Sequence, residues 1–175
     1  ELRLMSALAG TGTLLRLAWR RDRVVLPLGV LAVTGMAVAS AQATLALYPT
    51  AASMGPAVVE VLTNPAALAL YGPVADDTNP EAFAVFKMTL LGAVFLAILG
   101  YALVRRHTRS EEELGRLELL GAGVVGRQAP LAAGVVTGTA AVVASCVLLA
   151  LGFAGIGMSA AGAIAAAAGW LATGL

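Results

Sequence analysis

Apolar residues along this chain gather into long runs, and the polar residues gather between them. The first run, residues 24–47, amounts to roughly 36 Å of helix at about 1.5 Å per residue, enough to cross a hydrocarbon core of about 30 Å with some tilt. A second run covers residues 83–104 and a third residues 131–153. A fourth, residues 160–175, follows a Gly-rich turn around residues 154–159 and stops short of the roughly twenty residues a span requires. The pattern predicts an all-α, polytopic transmembrane helical bundle, incomplete because the chain is cut inside its fourth span. A signal peptide does not account for the first run, because an h-region holds about 7–15 apolar residues and lies nearer the first residue.

Charge gives the runs a direction. Ten of the eleven basic residues lie in residues 3–23 and 105–127, while residues 43–86 hold no Lys or Arg and carry Glu60, Asp76, Asp77 and Glu81. Cytoplasmic loops collect Lys and Arg, so both Arg-rich stretches are expected inside, with the N-terminus cytoplasmic and residues 49–82 outside. The eleventh basic residue, Lys87, sits near the outer end of the second span, from which its ammonium can snorkel to the interface. Composition agrees, with 59% hydrophobic and 12% charged residues and a mean hydropathy of +0.89, against roughly a quarter charged in soluble domains. The net charge of +1 conceals this asymmetry and does not point to nucleic acid. Cys146, the single cysteine, excludes an internal disulfide and reads as a packing residue.

Residues 11–23 read as an amphipathic helix on the inner membrane face. At about 100° per residue, Arg16, Arg20 and Arg23 fall on one side and Leu14, Leu15, Ala18 and Trp19 spread over the other, with Trp19 suited to the headgroup boundary. An anchor that merely orients the chain and a mechanical part are both open readings. In the outer stretch, Asn64-Pro65 supplies an N-cap and a proline at the first helical position, and Tyr71-Gly72-Pro73 supplies a glycine stop. A short helix over residues 65–71 follows, and Pro56 is expected to kink or end whatever helix occupies residues 51–62.

The inner loop, residues 105–130, carries the most specific information. Ser110 and Glu113 form a capping box, Glu111 and Glu112 fill a helix N-terminus, and Gly121 can end a helix of about ten residues. Leu114, Leu117 and Leu120 recur every third residue as an apolar stripe, Glu112 and Arg116 are spaced to pair, and Glu118 adds to the acidic face. A membrane-surface helix would carry basic residues on its polar face, whereas anionic lipids repel one led by three glutamates. Docking of Glu111, Glu112, Glu113, Leu114, Arg116, Leu117, Glu118 and Leu120 in a groove of a partner protein is therefore favoured.

Other features carry less. Residues 121–126 satisfy G-x-G-x-x-G but lack the strand and βαβ unit of a dinucleotide site, and His107 has no second ligand at metal spacing. The only lysine is Lys87, so the chain holds no phosphate-binding G-x-x-x-x-G-K-[ST] loop; H-E-x-x-H and G-x-S-x-G are also missing, and no Asp or Glu lies within the spans as a proton relay. The chain is read as no enzyme, with no catalytic residue, no metal site and no cofactor of its own. Gln42 and Thr44 near the outer end of the first span, Met36 within it and Met88 on the second are candidate contacts for an amphiphilic substrate.

Several segments carry a resemblance: TGTLLRLAWRRDRVVLP at residues 11–27, ALYPT at 46–50, NPAALALYGP at 64–73 and above all RHTRSEEELGRLELLGAGVVGRQAPL at 106–131. They resemble the permease subunits of bacterial ABC exporters, in the branch that exports polyketide antibiotics such as tetronasin. The resemblance implies a type-2 exporter fold and a multi-pass place in the bacterial inner membrane. It further implies a separate ATP-binding cassette subunit, in two copies, that binds ATP and Mg, and a substrate path for amphiphilic drugs. The interfacial helix and a coupling helix over residues 111–120 are what it leads one to expect before the first span and between the second and third. Such permeases are usually longer, so a remaining half or a second copy would complete the path. A non-transporting scaffold or sensor that recruits a cytosolic partner through the same acidic helix is the alternative from another class.

Overall fold

The computed structural model describes residues 8–113, 126 and 128–174, with the backbone alone for residues 107–113. Among the described residues the regular structure is entirely helical: α1 Thr11–Arg21, α2 Val25–Leu47, α3 Ala51–Thr63, α4 Pro65–Tyr71, α5 Pro80–Glu113, α6 Ala129–Gly155 and α7 Ala160–Gly174. Three helices are long and apolar enough to cross a membrane, over Val25–Leu47, Pro80–Arg106 and Ala129–Gly155. This is the content of a helical membrane bundle. The chain divides into two compact units, one drawn from Glu1–Gly29 and Ile98–Val142, the other from Val30–Ala97 and Val143–Leu175. The first holds all ten arginines and the second holds Glu60, Asp76, Asp77 and Glu81; they are called the Arg-rich unit and the acidic unit below.

Hydroxyls inside the apolar spans are satisfied locally, as a medium without water requires. Thr34 donates to the Val30 carbonyl at 2.8 Å, Thr44 to Ser40 at 2.9 Å and Thr137 to Ala133 at 2.8 Å. Helix ends follow local chemistry. Asn64 caps α4 by accepting from the amides of Ala66 and Ala67, and Gly72 ends it at φ 80°, as the Asn-Pro and Gly-Pro signals predict. At the end of α6, Gly157 takes φ 91° while the amide of Met158 donates to Phe153 and that of Gly157 to Ala154, a Schellman stop. An L side chain would strain that turn.

Other boundaries depart from expectation, each for a physical reason. Helix α3 does not end at Pro56 but continues to Thr63; the lost amide costs one bond, and a reciprocal Thr50–Ser53 capping box fixes the start of the helix. The helix that carries the second apolar run begins at Pro80, ahead of the run itself, because Asn79 repeats the Asn-Pro cap seen at Asn64 and accepts from the Glu81 amide at 2.9 Å. Ser110 lies inside α5, which continues to Glu113. A capping preference of about 1 kcal/mol does not break a helix already propagating from a membrane span. Finally, α1 ends at Arg21, leaving Arg23 in the following turn.

An apolar cluster lies in the acidic unit. Met54 and Val58 of α3 are buried with Phe83 and Phe86 of α5, flanked by Tyr48, Ala57, Val61, Tyr71 and Val74. Phe83 and Phe86 stack at 4.9 Å, Tyr48 meets Phe83 edge-on at 5.7 Å, and Tyr71 meets Phe86 at 5.9 Å. The i, i+4 pair on α3 and the i, i+3 pair on α5 present one face each, so the segment between the first two spans folds onto the start of α5. In the same unit Gly92 of α5 lies so close to the Trp170 ring that a Cβ would overlap it; no other residue fits there without moving the indole.

Candidate functional site

The Arg-rich unit contains the segments that flank the inner loop. Helix α1 buries Ala18 and half-buries Leu14 and Leu15, one face at i, i+3, i+4 spacing. Arg16, Arg20 and Arg23 are exposed, as the amphipathic pattern requires. Trp19 does not join the buried face. It is 53% exposed, and Leu17, 61% exposed, stands on another side of the helix among the arginines, so α1 leaves two large apolar side chains uncovered.

Asp22, directly after α1, is the feature that the charge count hides. It is fully buried, and its Oδ1 lies 3.1 Å from Nε of Arg106 on α5, whose side chain is 38% exposed. A buried carboxylate is tolerated where a cation and hydrogen bonds compensate it. Before α1, the Ala9 carbonyl accepts from the Gly126 amide at 2.8 Å, and the Gly126 carbonyl accepts from Ala129 at 3.0 Å, tying this point to the start of α6. Sequence reading passed over Asp22 as one acid in an arginine run. The available signal was that lone carboxylate between Arg21 and Arg23, placed against an apolar span.

The docking residues stand apart. Glu111, Glu112 and Glu113 belong to α5 by their backbone, and their side chains lie outside the described residues, as does that of His107. Leu114, Arg116, Leu117, Glu118 and Leu120 lie outside the described residues altogether, together with residues 121–125 of the glycine motif.

Two linkages stand out in the acidic unit. Glu81, half-buried in the first turn of α5, accepts from the Ser159 amide at 2.8 Å and from its hydroxyl at 2.6 Å. Ser159 itself precedes α7 and accepts from the Gly162 amide at 3.2 Å. The carboxylate thus sits at the positive end of α7, where a Cβ on Gly162 would come within 2.5 Å of it. In the segment before α5, Asp76 accepts from the Thr78 hydroxyl at 2.6 Å and from the Thr78 amide at 2.9 Å, and these bonds hold its carboxyl below its ordinary pKa.

Of the suggested substrate contacts, Met36 and Gln42 are exposed on α2, Met88 is half-buried on α5, and Thr44 is buried with its hydroxyl engaged by Ser40.

No protein-family model matches the chain. Over 161 residues it is 36% identical to a multidrug efflux system permease protein of Mycobacterium tuberculosis, an alignment covering 91% of this chain and 29% of that protein. The chain therefore spans under a third of the length of the relative it matches.

Proposed function

We propose that this chain is part of the membrane-spanning permease of an ATP-driven ABC exporter that extrudes amphiphilic drugs or antibiotics. The observation that carries this reading is the 36% identity to a multidrug efflux permease over 91% of the chain, sustained across three helices able to span a membrane. The tetronasin-type branch is the finer assignment, supported by the motif at residues 106–131. On this reading the protein is a multi-pass component of the bacterial inner membrane with its N-terminus in the cytoplasm. Both arginine clusters then face the side on which Lys and Arg accumulate.

The transport subunit hydrolyses nothing itself. ATP and Mg are bound by a separate ATP-binding cassette subunit, in two copies, docked on loop 105–130 through Glu111, Glu112, Glu113, Leu114, Arg116, Leu117, Glu118 and Leu120. Movement of the docking groove is passed to α5 and α6, because α5 continues without a break from the second span to Glu113. Nucleotide shifts the inward- and outward-facing states only through different interaction energies with each. The rest of the permease, or a second copy, completes the substrate path, to which Met36, Gln42, Thr44 and Met88 contribute, and membrane lipids surround it.

Leu117→Asp puts a charge into the leucine stripe and Glu113→Arg reverses one of the leading glutamates. Both are expected to abolish drug-stimulated ATP hydrolysis in reconstituted membranes. Full stimulation in a correctly inserted variant would reject the docking role, and purification from native membranes without an ATPase would favour a scaffold instead.

A further inference from the structure

Helix α1 is held near both of its ends by the two chain segments that enter and leave residues 107–125. Just before the helix, Ala9 accepts the 2.8 Å bond from Gly126, which follows that stretch. Just after it, Asp22 pairs at 3.1 Å with Arg106, which precedes the stretch. Both attachments are directional and polar, and they join positions remote in sequence. Net stability is a poor reason for the second, since a buried ion pair is often no better than an apolar pair of the same volume. What such a pair supplies is a fixed geometry, and the planar guanidinium suits that role. Asp22 also lies three residues before Val25, where α2 starts, so force applied to it acts on the first span.

We propose that α1 is a moving part of the coupling device rather than a passive membrane anchor. Asp22 and Arg106 act as positioning residues that carry displacement of the inner loop to the start of the first span. This rests on the reading of loop 105–130 as the docking site of an ATP-binding subunit. When that subunit moves the loop, the segments at Arg106 and Gly126 move with it. Helix α1, fixed to both, then shifts its exposed Leu17 and Trp19 side chains in the headgroup layer.

The test uses the assembled transporter in lipid nanodiscs, with Cys146→Ala and other cysteines removed, and an environment-sensitive bimane on Leu17→Cys. ATP with vanadate should shift the bimane emission. Asp22→Asn and Arg106→Gln should each lose that shift while the ATPase subunit still copurifies and basal hydrolysis continues, and the charge-swapped pair Asp22→Arg with Arg106→Asp should recover it. Arg106→Lys, which keeps the charge without the planar fork, should show a reduced shift even if the other single variants fail to insert. A purely structural role would lower thermal stability and leave the shift intact in the surviving protein. The proposal is overturned if the label in the unsubstituted transporter stays silent while ATP is hydrolysed, or if the properly inserted single variants, Arg106→Lys included, keep the full shift. Absence of any bound ATPase would instead reject the docking reading, and this proposal with it.

Discussion

The α3–α5 contact of the acidic unit and the attachments of α1 in the Arg-rich unit are made by different physics. In the acidic unit, two short helices lay Met54, Val58 and Tyr71 against Phe83 and Phe86 of α5, a non-directional contact made of many small attractions. In the Arg-rich unit, a buried ion pair and a backbone hydrogen bond tie the two ends of α1 to segments remote in sequence. Apolar clusters raise stability and tolerate small shifts; directional polar links fix geometry at little net gain in stability. The first suits a part that must stay folded, the second a part that, on the proposal above, transmits displacement.

The largest expected effect separates these roles on the side of stability. Phe83→Ala removes the ring stacked on Phe86 and met edge-on by Tyr48, and it should destabilise the acidic unit by about 3–5 kcal/mol. Limited proteolysis between α3 and α5, followed against temperature in detergent, reads this directly. Cleavage should begin at lower temperature, while the ATP-dependent signal from α1 persists at temperatures where the unit is still folded. Unchanged proteolysis would mean that the aromatic cluster is not what holds α3 and α4 in place.

The same contrast explains what could be read from the residues alone. Spans and caps were legible where the signal is local: an apolar run long enough for a bilayer, Asn64 before Pro65, Gly72 before Pro73. The start of α5 at Pro80 is less legible, because Asn79-Pro80, the same Asn-Pro signal, lies in a polar stretch outside the apolar run. Ser110 misled because a capping preference was weighed without the helix already running into it. Asp22–Arg106 and Glu81–Ser159 were out of reach for another reason. Each is a contact between segments remote in sequence, and nothing in local periodicity says which arginine meets which carboxylate. The aromatic cluster falls between these cases, since the i, i+3 pair Phe83 and Phe86 is visible in sequence but its partners on α3 are not.

A smaller effect is expected from the polar link inside the acidic unit. Glu81→Gln keeps the shape and one of the two acceptor oxygens, turns the other into an amide NH2 and removes the negative charge at the start of α7. Charge-assisted bonds at a partly exposed helix end are worth about 1 kcal/mol and weaken with salt. The substitution should therefore lower the thermal midpoint modestly, with the difference from the unsubstituted protein shrinking as ionic strength rises. A salt-independent difference would show that shape, not charge, holds Ser159 to α5. Compared with Asp22→Asn, it should leave the α1 signal untouched, because this linkage lies wholly within the acidic unit.

The smallest effect concerns Asp76, in the segment between α4 and α5. Its carboxyl titrates below the ordinary aspartate value because the Thr78 hydroxyl, and then the Thr78 amide, donate to it. A depressed folded-state pKa contributes stability that is present above the unfolded value and lost as pH falls through the folded one, so this turn is expected to loosen only in acid. Thr78→Val removes the 2.6 Å hydroxyl bond and keeps the 2.9 Å amide bond. The Asp76 pKa should rise part of the way toward its ordinary value, read from the carboxyl carbon shift in a pH titration of labelled protein. Because Asp76 is fully exposed, the thermal midpoint at neutral pH should stay where it is. A titration unchanged by Thr78→Val would assign the depression to the backbone alone and leave this turn without a side-chain lock.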